Sequence, residues 1–317
     1  MSFKILEYIL AIADSGSITK ASEQLFISQS GLNQQLLKLE KEIGTPLFYR
    51  SKKEMIPTQA GIIYIENARK ILKLSQNCIT QINDLSDNSS GTILFGLPYE
   101  HGADLYIDIS NKFSKSYPNV SIKLLEQNVK EMEEKIRTDQ MDIAFIMRAD
   151  MPSANFFNYI HLTTERLVLG IPKRHPLAHL ASPPGMPLST IELKRFKNDK
   201  FSLMFPGSTM REIIDPLFEH AGFIPDIRCE THMNNILYRL VSKGLSCTII
   251  PQSYARNNNS CCWFYLDSNP QWNWYIIFNK TRVLGAADKF LIQLAQDYSY
   301  DMKKHWEAYN VGSPIAP

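Results

Sequence analysis

The sequence predicts a multi-domain α+β protein with a helical N-terminal region, a long connecting helix and a larger C-terminal α/β region. Three observations lead to this prediction. Residues 1–58 contain three short helical patterns followed by a hairpin pattern. Residues 58–87 form one uninterrupted helical pattern, and strand-like and helical runs alternate after Gly91.

Length and composition agree with a folded protein of two or three compact units. The chain has 317 residues, of which 44% are hydrophobic and 21% are charged. Its apolar runs are shorter than the ~20 residues that span a bilayer, and Glu7 and Asp14 interrupt the segment where a signal peptide would be apolar. We therefore expect a cytoplasmic protein with no membrane partner.

Positive charge is concentrated near the N-terminus. The formal net charge is +2, whereas residues 1–73 carry ten Lys and Arg against seven Asp and Glu. A basic surplus of this kind suits a polyanionic partner if the charges share one face.

Apolar residues spaced three and four apart predict the three short N-terminal helices. The first ends near Gly16, Ser17 caps the second, and Ser28 caps a third that continues to about residue 42. The apolar side of the third helix consists of Leu32, Leu36, Leu39 and Ile43. Its opposite side has no carboxylate and consists of Ser30, Gln34, Lys38 and Lys41.

This polar side of the third helix is typical of a DNA-reading helix. Such a helix presents amides and hydroxyls to base edges and cations to phosphates, so Asn33 and Gln34 are the best candidates for reading bases. The same residues could also be solvated side chains on an ordinary surface helix.

A short hairpin is predicted after the third helix. Phe48 precedes the turn-like residues 51–54 and Met55 follows them, which places Lys52 and Lys53 at the tip. A hairpin beside the third helix forms a wing, so the N-terminal region is predicted to be a winged helix-turn-helix.

Residues 18–61, ITKASEQLFISQSGLNQQLLKLEKEIGTPLFYRSKKEMIPTQAG, resemble the DNA-binding signature of LysR-type transcriptional regulators. The matching residues are Ala21, Ser22, Leu25, Ser28, Gln29, Ser30, Leu39, Glu40, Gly44, Leu47, Phe48, Arg50, Thr58, Ala60 and Gly61. The sequence departs from the family pattern at Gly31, Leu32 and Asn33, so the operator sequence cannot be inferred from the family pattern. The resemblance implies a sequence-specific regulator of transcription.

The resemblance also implies roles for individual residues. Ser28, Gln29 and Ser30 are expected to hold phosphates at the helix N-terminus, where free amides and the helix dipole favour anions. The residues expected to contact the DNA backbone at or near the minor groove are Arg50, Lys52 and Lys53. Arg50 could instead form a salt bridge within its own domain.

Residues 58–87 are predicted to form a dimerisation helix. Apolar and small residues recur at coiled-coil spacing, and the predicted seam contains Ile65, Ala68, Leu72, Ile79 and Ile82. At ~1.5 Å per residue this helix is roughly 45 Å long, which makes an internal core helix the weaker interpretation. Pairing would set the distance between two recognition helices, and polar residues 86–91 read as a hinge.

The C-terminal region is predicted to contain two α/β sub-domains. Residues 92–147 read as βαβαβ, which implies a parallel sheet with helices on both faces, and a second cycle follows in residues 166–250. The layout resembles the family's two-lobed effector domain, which is like that of type 2 periplasmic binding proteins. The predicted domains are residues 1–58, the helix at 59–90, sub-domain I at 91–165 and 270–300, sub-domain II at 166–269, and a tail at 301–317.

A small-molecule effector is expected between the two lobes, because ligands of open α/β sheets bind at the carboxyl ends of strands. The residues predicted to meet it are Tyr99, Glu100, His101, Arg148, Ser208, Thr209, Thr231 and His232. Arg148 could supply a positive charge, and the carboxylate of Glu100 would favour a cationic or hydroxyl-bearing ligand. Ser208 and Thr209 could be only a helix cap, and His101 could be a plain surface residue.

Other functional classes fit less well. The phosphate-loop, nucleophile-elbow and paired-histidine metal motifs are absent from the sequence, so we expect no catalytic residue, no metal and no cofactor. A redox pair of Cys229 and Cys247 stays open. A solute receptor would leave the first ninety residues unexplained. The expected partners are therefore double-stranded DNA, an unknown effector, further copies of the chain as a dimer or tetramer, and RNA polymerase.

Overall fold

The computed structural model describes residues 2–50, 54–85, 90–183, 186–255 and 260–309. Contacts divide the chain into two units, one formed by the first 88 residues and one by the remainder. The predicted wing residues Lys52 and Lys53 and most of the predicted hinge lie outside the described residues. The side chains of Arg50 and His101 also lie outside the description.

The described residues of the first unit form four helices and a hairpin. Its elements are α1 (Phe3–Ser15), α2 (Ile18–Gln24), α3 (Gln29–Ile43), β1 (Phe48–Arg50), β2 (Met55–Pro57) and α4 (Gln59–Leu85). Strands β1 and β2 pair antiparallel. The predicted winged helix-turn-helix and long helix are therefore confirmed as structural elements.

One face of α3 packs into the core of this unit. Leu32, Leu36 and Leu39 are buried against α1 and the hairpin, as the spacing predicts, whereas Ile43 at the end of the helix is 42% exposed. A carboxylate oxygen of Glu40 accepts hydrogen bonds from the backbone N–H groups of Leu47 and Phe48, at 2.7 and 3.3 Å. Glu40 thereby ties the recognition helix to the first strand of the wing.

The start of α4 is fixed to the same hairpin. The Thr58 hydroxyl donates to the backbone oxygen of Pro46 at 2.8 Å and accepts from the Gly61 N–H at 3.0 Å. A Cβ at Gly61 would lie 2.0 Å from the backbone oxygen of Leu47, so only glycine fits this approach.

The second unit alternates strands and helices. Its elements are β3 (Gly91–Leu97), α5 (His101–Ser116), β4 (Val120–Glu126), α6 (Val129–Arg137), β5 (Ile143–Arg148), β6 (Phe157–Pro172), β7 (Thr190–Ile191), β8 (Lys200–Met204), α7 (Thr209–His220), β9 (Asp226–Thr231), α8 (Asn234–Ser242), β10 (Thr248–Pro251), β11 (Cys261–Leu266), β12 (Gln271–Asn279) and α9 (Ala286–Tyr309).

These elements form two lobes that share the long strand β6. In lobe I, β3 pairs parallel with β4 and β5, and β12 inserts antiparallel between β5 and the first part of β6. In lobe II, β10 and β11 pair with the last part of β6, and β8 pairs parallel with β9. The late strand thus returns to lobe I, as expected from the sequence.

Three features differ from the sequence-based expectations. The sheet is mixed rather than parallel, because β12 runs antiparallel to both of its neighbours. Strand β6 is 16 residues long and crosses the predicted boundary at residue 166, so one strand serves both lobes. Helix α9 continues to Tyr309, so the predicted tail at 301–317 begins inside a helix.

Candidate functional site

The N-terminus of α3 is open to solvent and polar. Ser28 caps the helix by accepting a hydrogen bond from the Gly31 N–H at 3.1 Å, and the hydroxyl of Ser30 lies 3.4 Å from that of Ser28. Ser28, Gln29 and Ser30 are all exposed. Two hydroxyls beside the positive end of a helix dipole form a suitable environment for a phosphate.

The outward face of α3 presents the remaining predicted DNA contacts. Gln34 and Lys38 are exposed, and neither makes a hydrogen bond or ion pair within residues 2–50, 54–85 or the described parts of the second unit. Asn33 lies at the edge of this face and is half-buried. An amide and an ammonium group on one face are therefore available to a partner.

An exposed aromatic residue shortly before α3 was not predicted from the sequence. Phe26 in the turn between α2 and α3 is 95% exposed, and its backbone φ of +53° lies in the left-handed region. Bulky residues adopt this conformation rarely. The apolar character of Phe26 suggests a core position, and only the turn geometry shows that its ring points outward.

The predicted dimer seam on α4 is wrong in its first half. Ala68 is only 1% exposed and Ile65 packs against the core of its own unit, so both serve the fold of the single chain. Leu72 is half-buried, whereas Ile79 and Ile82 are exposed. The reason is that α4 also packs on α1, where Arg69 pairs with Asp14.

A different face of α4 carries exposed apolar side chains. These residues recur every three to eight positions and are called the α4 stripe: Ile63, Ile71, Leu74, Cys78 and Ile82. Leu74 is 72% exposed. Spacing of this kind places all five on one side of the helix.

In the second unit, a cavity of about 70 Å³ lies between the lobes. Four aromatic or imidazole rings and three methionines are among its lining residues. The rings of Phe205 and His232 are tilted by 32° to each other, with their centroids 3.8 Å apart. Tyr99 from lobe I meets His232 from lobe II edge-on at 6.4 Å. The methionines at this cavity are Met147, Met204 and Met210.

The predicted residues at the start of α7 line this cavity. The Ser208 hydroxyl caps the helix by accepting from the Arg211 N–H at 3.2 Å, and Thr209 is buried. Thr231 does not line the cavity, because its hydroxyl closes a local turn by accepting from the Met233 N–H at 3.2 Å.

Glu100 links the two lobes. It follows β3 in lobe I with a left-handed φ of +65°, and its carboxylate accepts the N–H groups of Asn234 at 2.6 Å and Asn235 at 3.1 Å at the N-terminus of α8. Negative charge is concentrated nearby. Burial raises the pKa of Tyr254 well above its ordinary value, and the carboxylates of Glu100, Asp104 and Glu165 add to the shift.

Arg148 is not placed to neutralise a ligand in this cavity. It does not line the cavity, and its guanidinium pairs with Glu133 of lobe I at 2.5 Å. Sequence reasoning could not find this partner, because Glu133 lies on α6 and meets Arg148 only once the sheet has formed.

Two acceptors in the cavity wall were missed by the sequence analysis. The side-chain oxygens Oε1 of Gln127 and Oδ1 of Asn234 are shielded from solvent and accept no hydrogen bond from the described residues. Both residues line the cavity, and Asn234 is only 3% exposed. Buried acceptors are nearly always paired with protein or water, so these two oxygens are available to a hydrogen-bond donor in the cavity.

A larger basin of about 810 Å³ lies on lobe II and contains His175, Asp199 and Cys247. The His175 Nδ1 accepts the Leu177 N–H at 3.1 Å, so its Nε2 carries the proton and donates it to Asp199 at 3.0 Å. A metal on Nε2 would force that proton onto Nδ1, against the Leu177 N–H. This geometry favours a structural cap.

The thiol of Cys247 in the same basin is not activated as a nucleophile. Burial, together with the charge of Asp199, raises the pKa of Cys247 to about 12, so its thiol stays protonated at neutral pH. Cys229 pairs with Ser202 on one side of β8, and Cys247 bonds to β8 on the other side. Two strand spacings are roughly 9.5 Å, beyond the ~7 Å limit for a disulfide, so the redox pair that the sequence left open does not form in this structure.

None of the helices within the described residues is both long and apolar enough to cross a membrane. A family model described as "Bacterial regulatory helix-turn-helix protein, lysR family" matches residues 3–62, and one described as "LysR substrate binding domain" matches residues 86–299. The transcriptional regulator XapR of Escherichia coli is 26% identical over 294 residues, which cover 92% of this chain and 97% of that protein.

Solved structures share the fold at lower identity. A full-length OxyR variant from Pseudomonas aeruginosa is 20% identical with a TM-score of 0.69, and 94% of each chain is covered. Full-length CbnR in complex with its target DNA is 20% identical with a TM-score of 0.56, covering 94% of this chain and 99% of that one. The effector-binding domain of QuiR in complex with shikimate is 21% identical with a TM-score of 0.54, covering 67% of this chain and 99% of that one.

Proposed function

Because the chain belongs to the LysR family of bacterial transcriptional regulators, we propose that α3 reads operator DNA and that a small molecule in the interlobe cavity controls this binding. The family assignment establishes a regulator with a DNA-binding helix-turn-helix and an effector-binding domain. One observation carries the residue-level proposal: the exposed face of α3 presents Gln34 and Lys38 without a partner in the described residues.

The proposed division of labour on DNA follows from side-chain chemistry. Gln34, with Asn33 beside it, reads base edges in the major groove, and Lys38 contacts phosphate. Ser28, Gln29 and Ser30 hold a phosphate at the N-terminus of α3. Phe26 packs its exposed ring against a neighbouring deoxyribose. The wing residues proposed to contact the backbone are Arg50, Lys52 and Lys53.

The proposed dimer forms through the α4 stripe rather than through the seam containing Ala68. A second copy of the chain is the occupant, because paired recognition helices fit the two half-sites of an operator. Five exposed apolar side chains on one helix face would be covered by this contact.

On the effector side, Tyr99, Ser208, Thr209 and His232 form the proposed wall around the small molecule. Glu100 acts beside them by holding α8 of lobe II to lobe I. The proposal also includes a cytoplasmic location, pairing of dimers into tetramers and contact with RNA polymerase. It assigns the protein no catalytic step, metal or cofactor.

A salt-dependent gel-shift experiment tests the DNA-binding part. The full chain is titrated against the DNA upstream of its own gene between 50 and 200 mM salt, and we expect affinity to fall by ~10³-fold if about six phosphates are contacted. Equal affinity for scrambled DNA at every salt concentration would contradict operator reading. A pool of genomic fragments serves as the second target.

Sedimentation tests the proposed dimer. Leu74→Lys places a charge in the α4 stripe and is expected to yield monomers. The matched control Gln76→Lys adds the same charge at an exposed position on another face of α4 and should leave the dimer intact. Unchanged sedimentation of Leu74→Lys would place the main interface elsewhere.

A further inference from the structure

We propose that the effector presents an amine or ammonium group, a hydrogen-bond donor, to Gln127 and Asn234 in the interlobe cavity. This inference rests on the proposed function of that cavity as the effector site, and it adds the chemical class of the ligand.

The two unpaired acceptors are the first argument. Gln127 Oε1 comes from lobe I and Asn234 Oδ1 from lobe II, and both line the same cavity without accepting a bond from the described residues. A ligand that donates to both oxygens would satisfy one group of each lobe. Because leaving buried acceptors unpaired is costly, a ligand that supplies N–H donors gains affinity that an acceptor-only ligand does not.

The second argument is that an anion site next to Asn234 is already filled. The N-terminus of α8 offers free N–H groups and a positive dipole end, which would suit a ligand carboxylate. Glu100 occupies that position with bonds of 2.6 Å to the Asn234 N–H and 3.1 Å to the Asn235 N–H. The chain therefore supplies its own carboxylate there, and its negative charge lies next to Asn234.

The third argument concerns the cations around the cavity. Lys130 pairs with Glu212 at 3.0 Å, and Arg148 pairs with Glu133 at 2.5 Å. Burial lowers the pKa of Arg211, but its hydrogen bonds to Asp215 and Glu230 outweigh this effect and leave that pKa raised. The positive side chains near the cavity are thus matched by carboxylates, whereas the Glu100 carboxylate bonds only neutral N–H groups in the described structure.

The size and wall of the cavity limit the ligand further. A volume of about 70 Å³ holds roughly five waters at ~10–15 Å³ each, which corresponds to a small ligand or the buried part of a larger one. Trp272 and Tyr99 line the cavity, and aromatic faces attract cations. A short alkylammonium group fits both restrictions.

Methionine-methyl NMR on the full chain tests the proposal. Three of the eleven methionines, Met147, Met204 and Met210, line the cavity, so their ¹³C-methyl signals report binding at this position. The probes are n-propylammonium chloride and sodium propionate at equal ionic strength. We expect propylammonium to shift these three signals with at least tenfold higher affinity than propionate.

Variants of Gln127 separate ligand chemistry from folding. Gln127→Met keeps the length of the side chain but removes the acceptor, and it should weaken propylammonium binding about tenfold. Gln127→Glu adds a negative charge and should tighten binding several-fold, a gain that misfolding cannot produce. Gln293→Met, at an exposed position on α9, should leave the affinity unchanged.

The outcomes distinguish the ligand class from the function of the cavity. If propionate shifts the three methionine signals and propylammonium does not, the amine class is overturned while the cavity remains the effector site. Unchanged propylammonium affinity in both Gln127 variants also overturns the amine proposal. If a broad panel of small molecules binds with shifts only at other methionines, the proposed effector function of the cavity fails as well.

Discussion

The two units of this regulator use polar side chains in opposite ways. In the first unit, Gln34 and Lys38 are exposed and make no bond to the described residues. In the second unit, Glu100 caps α8, Ser208 caps α7 and Arg148 pairs with Glu133. The proposed DNA-reading face therefore leaves these two groups available to a partner, whereas Glu100, Ser208 and Arg148 of the second unit bond to the protein itself.

This difference follows from the geometry of the two surfaces. A helix face that meets a duplex presents each side chain separately to water, so unpaired polar groups cost little before binding. A small cavity between lobes excludes water, and unpaired polar groups there are costly. An effector that donates to the unpaired oxygens of Gln127 and Asn234, one from each lobe, would relieve this cost, and that gain can couple ligand binding to the position of the lobes.

The largest expected effect comes from a buried carboxylate of the second unit. Glu165 is fully buried and accepts bonds from the indole N–H groups of Trp272 and Trp274, both at 3.0 Å, and from the Ser253 N–H at 2.9 Å. Glu165→Ala leaves these donors without their acceptor and should lower the free energy of unfolding of this unit by about 3–5 kcal/mol.

Tryptophan fluorescence measures this effect selectively. All four tryptophans lie after residue 262, so fluorescence during urea unfolding reports on the second unit of the intact chain. Glu126→Ala, which removes an exposed carboxylate at the end of β4, is the control and should change stability by less than about 0.5 kcal/mol. Equal stability of Glu165→Ala and the control would show that inward bonding does not stabilise this unit.

Local sequence patterns predicted the first unit well for a physical reason. The buried face of α3, the cap at Ser28 and the two wing strands all follow from residue patterns within the elements themselves. The seam on α4 was misplaced because α4 packs on α1, and Asp14 of α1, which pairs with Arg69 next to the buried Ala68, lies 55 residues earlier. Spacing alone cannot show which apolar face of a helix packs against the helix's own domain.

The effector cavity could be predicted only in outline. The order of strands and helices correctly indicated two lobes, and Tyr99, Ser208, Thr209 and His232 do line the cavity between them. Gln127 and Asn234 carried no recognisable motif, because their importance depends on the absence of a donor in three dimensions. The link between Glu100 and Asn234 joins residues 134 positions apart, which no local pattern reveals.

The second prediction tests the inward bonding of Glu100. Glu100→Ala removes two charge-assisted hydrogen bonds to α8 and should lower the stability of the second unit by about 2 kcal/mol, measured by tryptophan fluorescence in urea. Glu131→Ala, at an exposed position in the first turn of α6, is the comparison. A loss no greater than that of Glu131→Ala would mean that the Glu100 contact does not hold the lobes together.

The third prediction makes the same comparison on the DNA-reading face. Gln34→Ala should leave thermal stability unchanged within about 0.5 kcal/mol, because the side chain bonds to no described residue. Affinity for the operator should fall about tenfold, equivalent to ~1.4 kcal/mol, while affinity for scrambled DNA stays the same. Gln24→Ala at the exposed end of α2 serves as control in fluorescence anisotropy.

A contrary result for Gln34 would change the assignment of the face. If operator preference survives in Gln34→Ala, the bases are read by another part of α3. Asn33, which lies at the edge of the same face, would then be the next residue to replace. If the variant instead loses stability, the Gln34 side chain bonds to its own domain. The first unit would then use its polar side chains in the same way as the second.

The smallest expected effect concerns Lys38, which is assigned to phosphate rather than to a base. Lys38→Gln should weaken binding to operator DNA and to scrambled DNA by the same factor. It should also reduce the slope of log K against log salt concentration by ~0.9, the contribution of one phosphate contact. The measurement is a salt titration of both DNAs, with Lys123→Gln on exposed β4 as control. An unchanged slope would remove Lys38 from the interface, whereas a loss confined to the operator would make it a base reader, because only base contacts discriminate between sequences.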